Sequence, residues 1–451
     1  MRVPAVTRPV PTPRRCGVST TTSPRPELDV TFGELGALLL DGGLSVTDVR
    51  GSLEEIRLRA APEDELAFAV LPEHVLVSRP GIPFATTTVS TGGVGLTSRQ
   101  AAHASRLAQE LQSGRVPLDE ARARMAEIRA LPWPGRATQG VVGAALISAG
   151  LAVVFRCPWW AVVLALLVGA VVGVVTEYMS RIRPAAAIVP FVSAFVSTLI
   201  VGTTATALDL GPVPLFAVCA PIAILVPGAL ITNALLELTA ADIVTGASRL
   251  MYGLIMLAFM ATGVSAGALL TGLRIDSDSA ALVGQAALVT ADRGGWEAVP
   301  PVPLAWIGVV VLAVGIGLAF GSGPRLTLVC VVVMSGTYAL LSVLSPLLGS
   351  AVATGVSAAV LFVAARVIER LTVAIPATVS FQPAFLLLVP GTVGLVALAS
   401  FDADALAAAP AIFLSLCIGT KVGALIADLS HVTATAFRAR RAGRPGTGLL
   451  Q

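Results

Sequence analysis

From Gln139 onward the chain carries one apolar stretch after another, each long enough to cross a lipid bilayer as a helix. Such a crossing takes about 20 apolar residues, and a helix satisfies its backbone polar groups internally, as the bilayer requires. We count ten stretches, at roughly 139–156, 159–176, 185–206, 214–235, 246–272, 303–320, 325–344, 347–367, 378–399 and 407–428. The pattern predicts an α-helical polytopic membrane protein with about ten transmembrane helices. Three glycine pairs at GxxxG spacing also predict close helix packing, at Gly169/Gly173, Gly263/Gly267 and Gly419/Gly423.

The composition agrees with this interpretation and excludes several function classes. Hydrophobic residues make up 55% of the chain and charged residues only 13%, with a mean hydropathy of +0.85, whereas a soluble domain carries about 25% charged residues. The net charge of +3 gives no reason to expect a nucleic-acid partner. Histidines and cysteines show neither metal-ligand nor CxxC spacing, so we predict no metal and no other cofactor. Because no phosphate-binding GxxxxGKS/T loop, nucleophile elbow or HExxH motif occurs, we do not expect an enzyme.

The part of the chain before the first span divides into an arm, a domain and a linker. Residues 1–31 are rich in Pro, Arg, Thr and Ser and are predicted to be a disordered arm. Residues 32–131 are predicted to form a small α+β domain, and residues 132–138 a linker in which Trp133 suits a membrane interface. The predicted helices are 32–40, 46–60 (with Ser45 as N-cap), 98–112 and 117–130, and the predicted strands are 66–71, 74–78 and 85–91.

Arginines set the orientation of the predicted spans, which together occupy residues 139–431. They lie in alternate connections and in the basic tail 432–451, whereas the other connections carry mainly acidic residues. By the positive-inside rule, both termini and the 32–131 domain are therefore expected to be cytoplasmic. The arginines concerned are Arg181, Arg183, Arg325, Arg366, Arg370, Arg438, Arg440, Arg441 and Arg444.

The segment Leu225–Val226–Pro227–Gly228 interrupts the fourth span within the membrane. Proline there removes a backbone donor and breaks or kinks the helix, and glycine adds conformational freedom. The same four letters return at Leu388–Val389–Pro390–Gly391, 163 positions later. Because the two copies stand five spans apart, they predict two inverted-topology repeats, at about 139–272 and 303–428. Paired breaks of this kind point to the binding site of a secondary transporter.

Polar groups beside the first break are candidates for the substrate pathway and for proton coupling. Thr232, Asn233 and Glu237 follow Pro227 and Gly228 on one helix, and Asp242 and Arg249 come next. Charged groups in a membrane are costly and so point to function. Two alternatives remain: Asn233 caps the freed turn, and Asp242 and Arg249 lie in a solvated loop.

Other spans add candidates to both sets. Hydroxyl groups in membrane helices usually bond their own backbone, and a lysine near a span end can extend to the interface. Structural roles therefore stay open for the hydroxyls and for the lysine. The additional pathway residues are Pro390, Gly391, Gln382, Ser193 and Thr198, and the additional charged residues are Lys421 and Asp428.

Two groups of residues form a recognisable pattern along the chain. The first group is Leu39–Leu40–Asp41–Gly42–Gly43–Leu44–Ser45–Val46–Thr47–Asp48–Val49, then Gly95–Leu96–Thr97, Gly114 and Leu118–Asp119–Glu120–Ala121. The second group is Pro227–Gly228, Thr232–Asn233, Glu237–Leu238, Gly246 and Arg249. Together they resemble the threonine/serine exporter family of bacteria, with a resemblance over roughly residues 33–431. At the position of Glu237 the family often carries aspartate, so this chain keeps the carboxylate with a different reach.

The resemblance implies a multi-pass exporter of the bacterial inner membrane that is driven by the proton motive force, as a proton antiporter would be. Its implied partners are L-threonine or L-serine, protons and the lipid bilayer, and a homo-oligomer is compatible with such a chain. Relatives split into two chains are linked to dicarboxylate export, so a dicarboxylate such as succinate is an alternative substrate. A membrane-anchored sensor or regulator that acts through the N-terminal domain is a further alternative.

Overall fold

The computed structural model describes residues 26–81, 86–93, 95–182, 187–276, 279, 282–286, 289, 294–372, 382–388, 411–427 and 429. An N-terminal domain comes first and a bundle of apolar helices follows it. The first 25 residues of the predicted arm, most of the predicted ninth span and the basic tail lie outside the described residues.

The N-terminal domain confirms the predicted pattern of helices and strands. Its sheet is antiparallel in the order β1-β2-β3, with a hairpin at residues 72 and 73 between the first two strands. Ser45 caps the second helix by accepting a hydrogen bond from the backbone N–H of Asp48, and the apolar face of that helix is buried as its spacing predicts. The elements are α1 (Pro26–Asp41), α2 (Val46–Ala60), β1 (Ala67–Val70), β2 (His74–Ser78), β3 (Thr86–Ser90), α3 (Ser98–Gln112) and α4 (Ala121–Arg129).

Helix α1 begins six residues before its predicted start, and an ion pair explains the difference. Asp29 in its first turn accepts two hydrogen bonds from Arg79, at 2.7 and 3.1 Å, and Arg79 also bonds Asp64 at 2.9 Å. The hydrogen bond to Asp29 raises the pKa of Arg79 against the opposing effect of burial. The partner of Asp29 is 50 positions away, so the local pattern does not show it.

Six helices of the bundle are long and apolar enough to cross a membrane, and a bent pair makes a seventh candidate. Within the described residues, two more apolar helices are shorter, so the count of ten stays a prediction. The six are α5 (Arg136–Val154), α6 (Trp159–Ser180), α7 (Val189–Ala207), α10 (Ile243–Thr271), α13 (Gly323–Leu348) and α14 (Ser350–Thr372). The bent pair is α8 (Leu215–Cys219), its 3-10 extension Ala220–Leu225 and α9 (Gly228–Thr239). The two shorter apolar helices are α12 (Leu304–Ala319) and Ala411–Ala427, and a four-residue helical turn, α11 (Val283–Ala286), precedes α12.

The parallel packing of α7 and α10 favours a single broken span over a re-entrant loop for the bent pair. A Cβ added to Gly263 would lie 2.5 Å from the carbonyl oxygen of Phe191, and one added to Gly267 would lie 2.8 Å from Cβ of Thr198. Residue numbers therefore rise in the same direction along both helices, from Phe191 to Thr198 on α7 and from Gly263 to Gly267 on α10. Two parallel helices require one complete crossing between them, which α8 and α9 supply.

All three predicted glycine pairs lie at close helix contacts. Gly169 and Gly173 pack on α5, Gly263 and Gly267 on α7, and Gly419 and Gly423 on α14. A further contact joins α5 to α12, the first spans of the two predicted repeats. There Gly143 meets Gly315 and Gly150 meets Gly308, so these two helices run antiparallel.

Candidate functional site

The fourth predicted span is broken at the predicted place. Helix α8 becomes a 3-10 segment whose first turn contains Pro221, Val226 is extended, and α9 starts after Pro227. The two parts meet at an angle of 65°. A proline without an N–H group cannot continue the α-helical ladder. The N–H of Gly228 instead bonds the carbonyl of Val226 at 2.8 Å, so the chain turns at this point.

A cavity of about 950 Å³ lies at this break, between the N-terminal domain and the membrane helices. Residues 223–226, 228 and 229 line it, so both sides of the break face the cavity. The N-terminal domain covers it with the turn after α1 and with the start of α3. Lining residues from the helices include Ala144, Ile147, Gly173, Thr176 and Ile316, and those from the domain include Gly42, Gly43, Leu96, Thr97 and Gln100.

Among the described residues, four charged side chains line the cavity: Asp41, Arg129, Arg136 and Glu177. Asp41 and Arg129 pair with each other at 3.0 Å within the domain. Arg136 begins α5, with its guanidinium 5.6 Å from the ring centre of Trp133. Glu177, near the end of α6, bonds Arg181 at 3.2 Å. Because α5 and α6 are antiparallel neighbours, Arg136 and Glu177 bring opposite charges to one rim of the cavity.

Glu237 lies outside the cavity lining, fully buried where α9 meets the N-terminal domain. Its Oε1 accepts a hydrogen bond from the backbone N–H of Val46 at 3.0 Å and another from Arg249 at 2.7 Å. Val46 is the first residue of α2, so the carboxylate lies at the positive end of that helix dipole. The second oxygen, Oε2, has no hydrogen-bond partner among the described residues.

Three more hydrogen bonds join the same surfaces. Asp242 accepts hydrogen bonds from the Thr47 hydroxyl and from Arg50, both at 2.8 Å. Partial burial opposes ionisation of Asp242, but the hydrogen bonds from Arg50 and Thr47 outweigh it and lower the pKa of this carboxyl. Asn233 donates from Nδ2 to the carbonyl of Gly43 at 3.1 Å. We call these contacts the docking interface: Gly43, Val46, Thr47 and Arg50 of the domain with Asn233, Glu237 and Asp242 of the bundle.

The predicted residues of the fourth and fifth spans therefore separate into two places. Gly228 lines the cavity, and Pro227 directly precedes it. Asn233 and Glu237 contact the N-terminal domain, so Asn233 does not cap the freed turn. The solvated-loop alternative is also not observed. Arg249 lies within α10 and bonds Glu237, and Asp242 is the N-cap residue of α10 with only 14% of its side chain exposed.

The hydroxyl candidates divide in a similar way. Thr198 and Thr232 each bond the carbonyl four residues earlier at 2.9 Å, which is the structural role left open for them. Ser193 differs, because its Oγ is fully buried and has no partner in the part of the chain that the structure describes. Gln382 begins a 3-10 turn, and Lys421 lies in the helix Ala411–Ala427. Pro390, Gly391 and Asp428 lie outside the described residues.

Sequence reasoning missed Arg136 and Glu177, because charged residues are usual at the ends of apolar spans. The sequence does contain one indication that Glu177 lies close to α5, which is Gly173, one turn earlier on α6. A Cβ there would lie 2.9 Å from Cα of Val141, so this end of α6 is drawn onto α5. The docking interface was missed for a related reason: its two halves stand about 190 positions apart in the sequence.

A polytopic bundle whose broken span opens on a large cavity is the architecture of a membrane transporter. The chain belongs to the family described as "Putative threonine/serine exporter", whose sequence profile matches residues 31–271, more than half of its 451 residues. The match runs from α1 to the end of α10. This is a family of membrane exporters and not of enzymes. Comparison with the curated proteins and with the solved structures finds no match.

Proposed function

We propose that the protein exports L-threonine and L-serine across the plasma membrane of a bacterium, driven by the proton motive force. The observation that carries the proposal is the cavity of about 950 Å³ at the broken fourth span, in a chain of the exporter family. Small-molecule sites typically have volumes of about 300–1,000 Å³. Broken helices near the bilayer centre offer backbone groups that a polar solute can bond.

The two rim charges suit an amino acid in its zwitterionic form. Arg136 offers a guanidinium to the substrate carboxylate, and Glu177 offers a carboxylate to the substrate ammonium. Neither group is tied into the N-terminal domain in the way that Asp41 and Arg129 are. Gly228 and Ser193 belong to the proposed pathway, together with Gln382, Pro390 and Gly391 from the second half. Thr198 and Thr232 support it structurally, because their hydroxyls bond their own helix backbone.

Glu237 is the proposed proton-coupling group. Its Oε2 has no hydrogen-bond partner among the described residues, which is unusual for a buried carboxyl oxygen, and this oxygen is the proposed site of proton uptake. Arg249 is its proposed charge partner. Asp242, which pairs with Arg50, belongs to the same proposed coupling set, and Lys421 and Asp428 form a second one. We expect Glu237→Gln to abolish threonine efflux when equal amounts of folded variant and wild-type protein are compared. Efflux at the wild-type rate from this variant would remove Glu237 from the coupling mechanism.

The proposed orientation places the N-terminal domain in the cytoplasm. Arg136, Arg181 and Arg325 are all at helix ends on the side of the bundle that carries this domain, where the positive-inside rule expects them. The antiparallel contact of α5 with α12 supports inverted repeats, since a two-fold axis in the membrane plane relates the first spans of such halves in this way.

Counterflow in proteoliposomes tests the substrate. Vesicles that contain the purified full chain are loaded with unlabelled threonine, serine or succinate, and uptake of each labelled solute is followed. We expect exchange of threonine and serine, with protein-free vesicles as the control. Exchange of succinate alone would replace this proposal with dicarboxylate export. Exchange of none of the three would favour the sensor alternative.

A further inference from the structure

We propose that the N-terminal domain is a gate that covers the cavity, and that the docking interface is the latch that fastens this gate to α9. The inference takes the cavity of the proposed function as its premise and adds how access to it is controlled. It assigns a role to the domain and to the residues that contact the domain without lining the cavity.

The domain forms a cover over the cavity because it is attached on two sides of it. One attachment is the docking interface at α9 and α10. The other is the turn between α12 and α13, where Ser98 donates its backbone N–H to the carbonyl of Phe320 at 2.9 Å. Gly321 follows in a left-handed conformation, and a Cβ there would lie 3.0 Å from Trp133 and 3.1 Å from Thr97. Between these attachments the domain itself lines the cavity.

The docking interface binds the part of the broken span that lies beyond the break. Asn233 and Glu237 are both on α9, which is joined to the 3-10 segment only through Val226 and Pro227. A break of this kind lets the two halves of a span change their angle with few lost hydrogen bonds, so it suits a hinge. Because α2 is hydrogen-bonded to α9, tilting of α9 strains these hydrogen bonds and releases the domain from the bundle. A change at the break is thereby converted into movement of the cover.

The contacts of the latch are polar, and the turn beside them is strained. Its contacts are hydrogen bonds and ion pairs, which exchange with water at a small net cost when they open. Ala241, in the turn between α9 and α10, has φ of 66°, a left-handed conformation that is strained for a residue with a Cβ. Such strain persists where surrounding contacts hold it. Asp242 follows directly and is bonded to Thr47 and Arg50 of the domain.

Chemical labelling of the cavity tests the gate without reference to transport. Ala229 lines the cavity at the break, so Ala229→Cys places a thiol beneath the cover. The four described native cysteines are buried, and the parent chain measures their background. Thr47→Val with Arg50→Gln removes one hydroxyl bond and one ion pair of the latch. The matched control, Ser113→Ala with Arg106→Gln, removes one of each elsewhere in the domain.

We expect a bulky, membrane-impermeant maleimide to label Ala229→Cys at least fivefold faster in the unlatched chain than in the control chain. Equal labelling rates in the two chains would overturn the gate. This result does not depend on which solute is exported.

Cross-linking tests whether the gate must open during export. Thr47→Cys with Asp242→Cys, joined by a reducible bis-methanethiosulfonate reagent, pins the domain to the bundle. We expect export to fall at least tenfold on cross-linking and to recover with reductant, whereas Arg106→Cys with Glu110→Cys, joined within α3, exports unchanged. Equal export before and after cross-linking would overturn the gate.

Two other outcomes leave the decision to the labelling experiment. If the Thr47→Cys, Asp242→Cys chain fails to export even after reduction while the wild type exports, the latch contacts are needed for export, and labelling of Ala229→Cys then decides whether the domain is a gate. Absence of export by the wild type itself would count against the proposed function and leave labelling to decide the gate.

Discussion

The backbone N–H of Val46 donates a 3.0 Å hydrogen bond to Oε1 of Glu237, across 191 positions of sequence. The two residues come from the two groups that resemble the exporter family, one in the N-terminal domain and one on α9. The positive end of the α2 dipole favours the carboxylate, and Arg249 supplies its counter-charge at 2.7 Å. The two groups of family-like residues therefore meet at an interface between two units of the chain.

Glu237→Gln should destabilise the protein by leaving Arg249 without its counter-charge. Removing one partner of a buried ion pair costs about 3–5 kcal/mol, whereas replacing both partners by apolar or neutral groups costs much less. We therefore expect a lower Tm for Glu237→Gln than for the double variant with Arg249→Met, measured on detergent-purified protein. Glu237→Asp, which keeps the charge, is the control. A double variant that melts below Glu237→Gln would show that the two groups are not coupled.

Asn233→Ala should lower the maximal export rate more than the affinity for substrate. Asn233 contacts the carbonyl of Gly43 and is absent from the described cavity lining, so its loss loosens the docking interface by about 1 kcal/mol. Initial rates of threonine efflux at graded internal concentrations separate the two effects. A raised KM at unchanged maximal rate would return Asn233 to the substrate pathway.

The docking contribution of Asp242 should not change with pH near neutrality. Its pKa is lowered in the folded protein, because the hydrogen bonds from Arg50 and Thr47 outweigh the opposing burial. A carboxyl with a lowered pKa contributes stability fully above its unfolded pKa of about 3.9, and loses it as pH falls through the folded pKa. The difference in Tm between wild type and Asp242→Asn should therefore stay constant from about pH 8 to about pH 5. A difference that shrinks near pH 6 would identify another titrating group at this interface.

The sequence predicts local structure and the helix break well, because both depend on neighbouring residues. Ser45 as N-cap, the buried face of α2 and the interruption at Pro227 all follow from short-range rules. The interface between the units does not, since Gly43 and Asn233 meet only after two separate units have folded and docked. For the same reason a buried carboxylate such as Glu237 predicts a function without identifying its partners. Polarity indicates importance, and only the packing shows what the group contacts.

Gly143→Ala should destabilise the bundle at the contact between α5 and α12. A Cβ there would lie 2.6 Å from the backbone nitrogen of Ala319 and 2.7 Å from the carbonyl oxygen of Gly315. Because both are backbone atoms, they cannot move aside as a flexible side chain would, and overpacking of this kind costs about 1–3 kcal/mol. Gly140→Ala on the same helix is the matched control, since nothing lies within 4 Å of its added Cβ. Thermal unfolding should show a lower Tm for the first variant only; equal melting would contradict a tight contact.

Glu177→Gln should raise the KM for threonine about tenfold with a smaller change in maximal rate. A hydrogen bond to a charged group contributes about 1.5–3 kcal/mol, and about 1.4 kcal/mol corresponds to a factor of ten. The matched control is Arg181→Gln, which breaks the same ion pair at 3.2 Å but leaves the carboxylate at the cavity rim. If Glu177 receives the substrate ammonium, KM rises in the first variant and stays near the wild-type value in the second. Equal effects in both variants would mean that the ion pair only supports the end of α6, and the ammonium would then have to be bound elsewhere in the cavity.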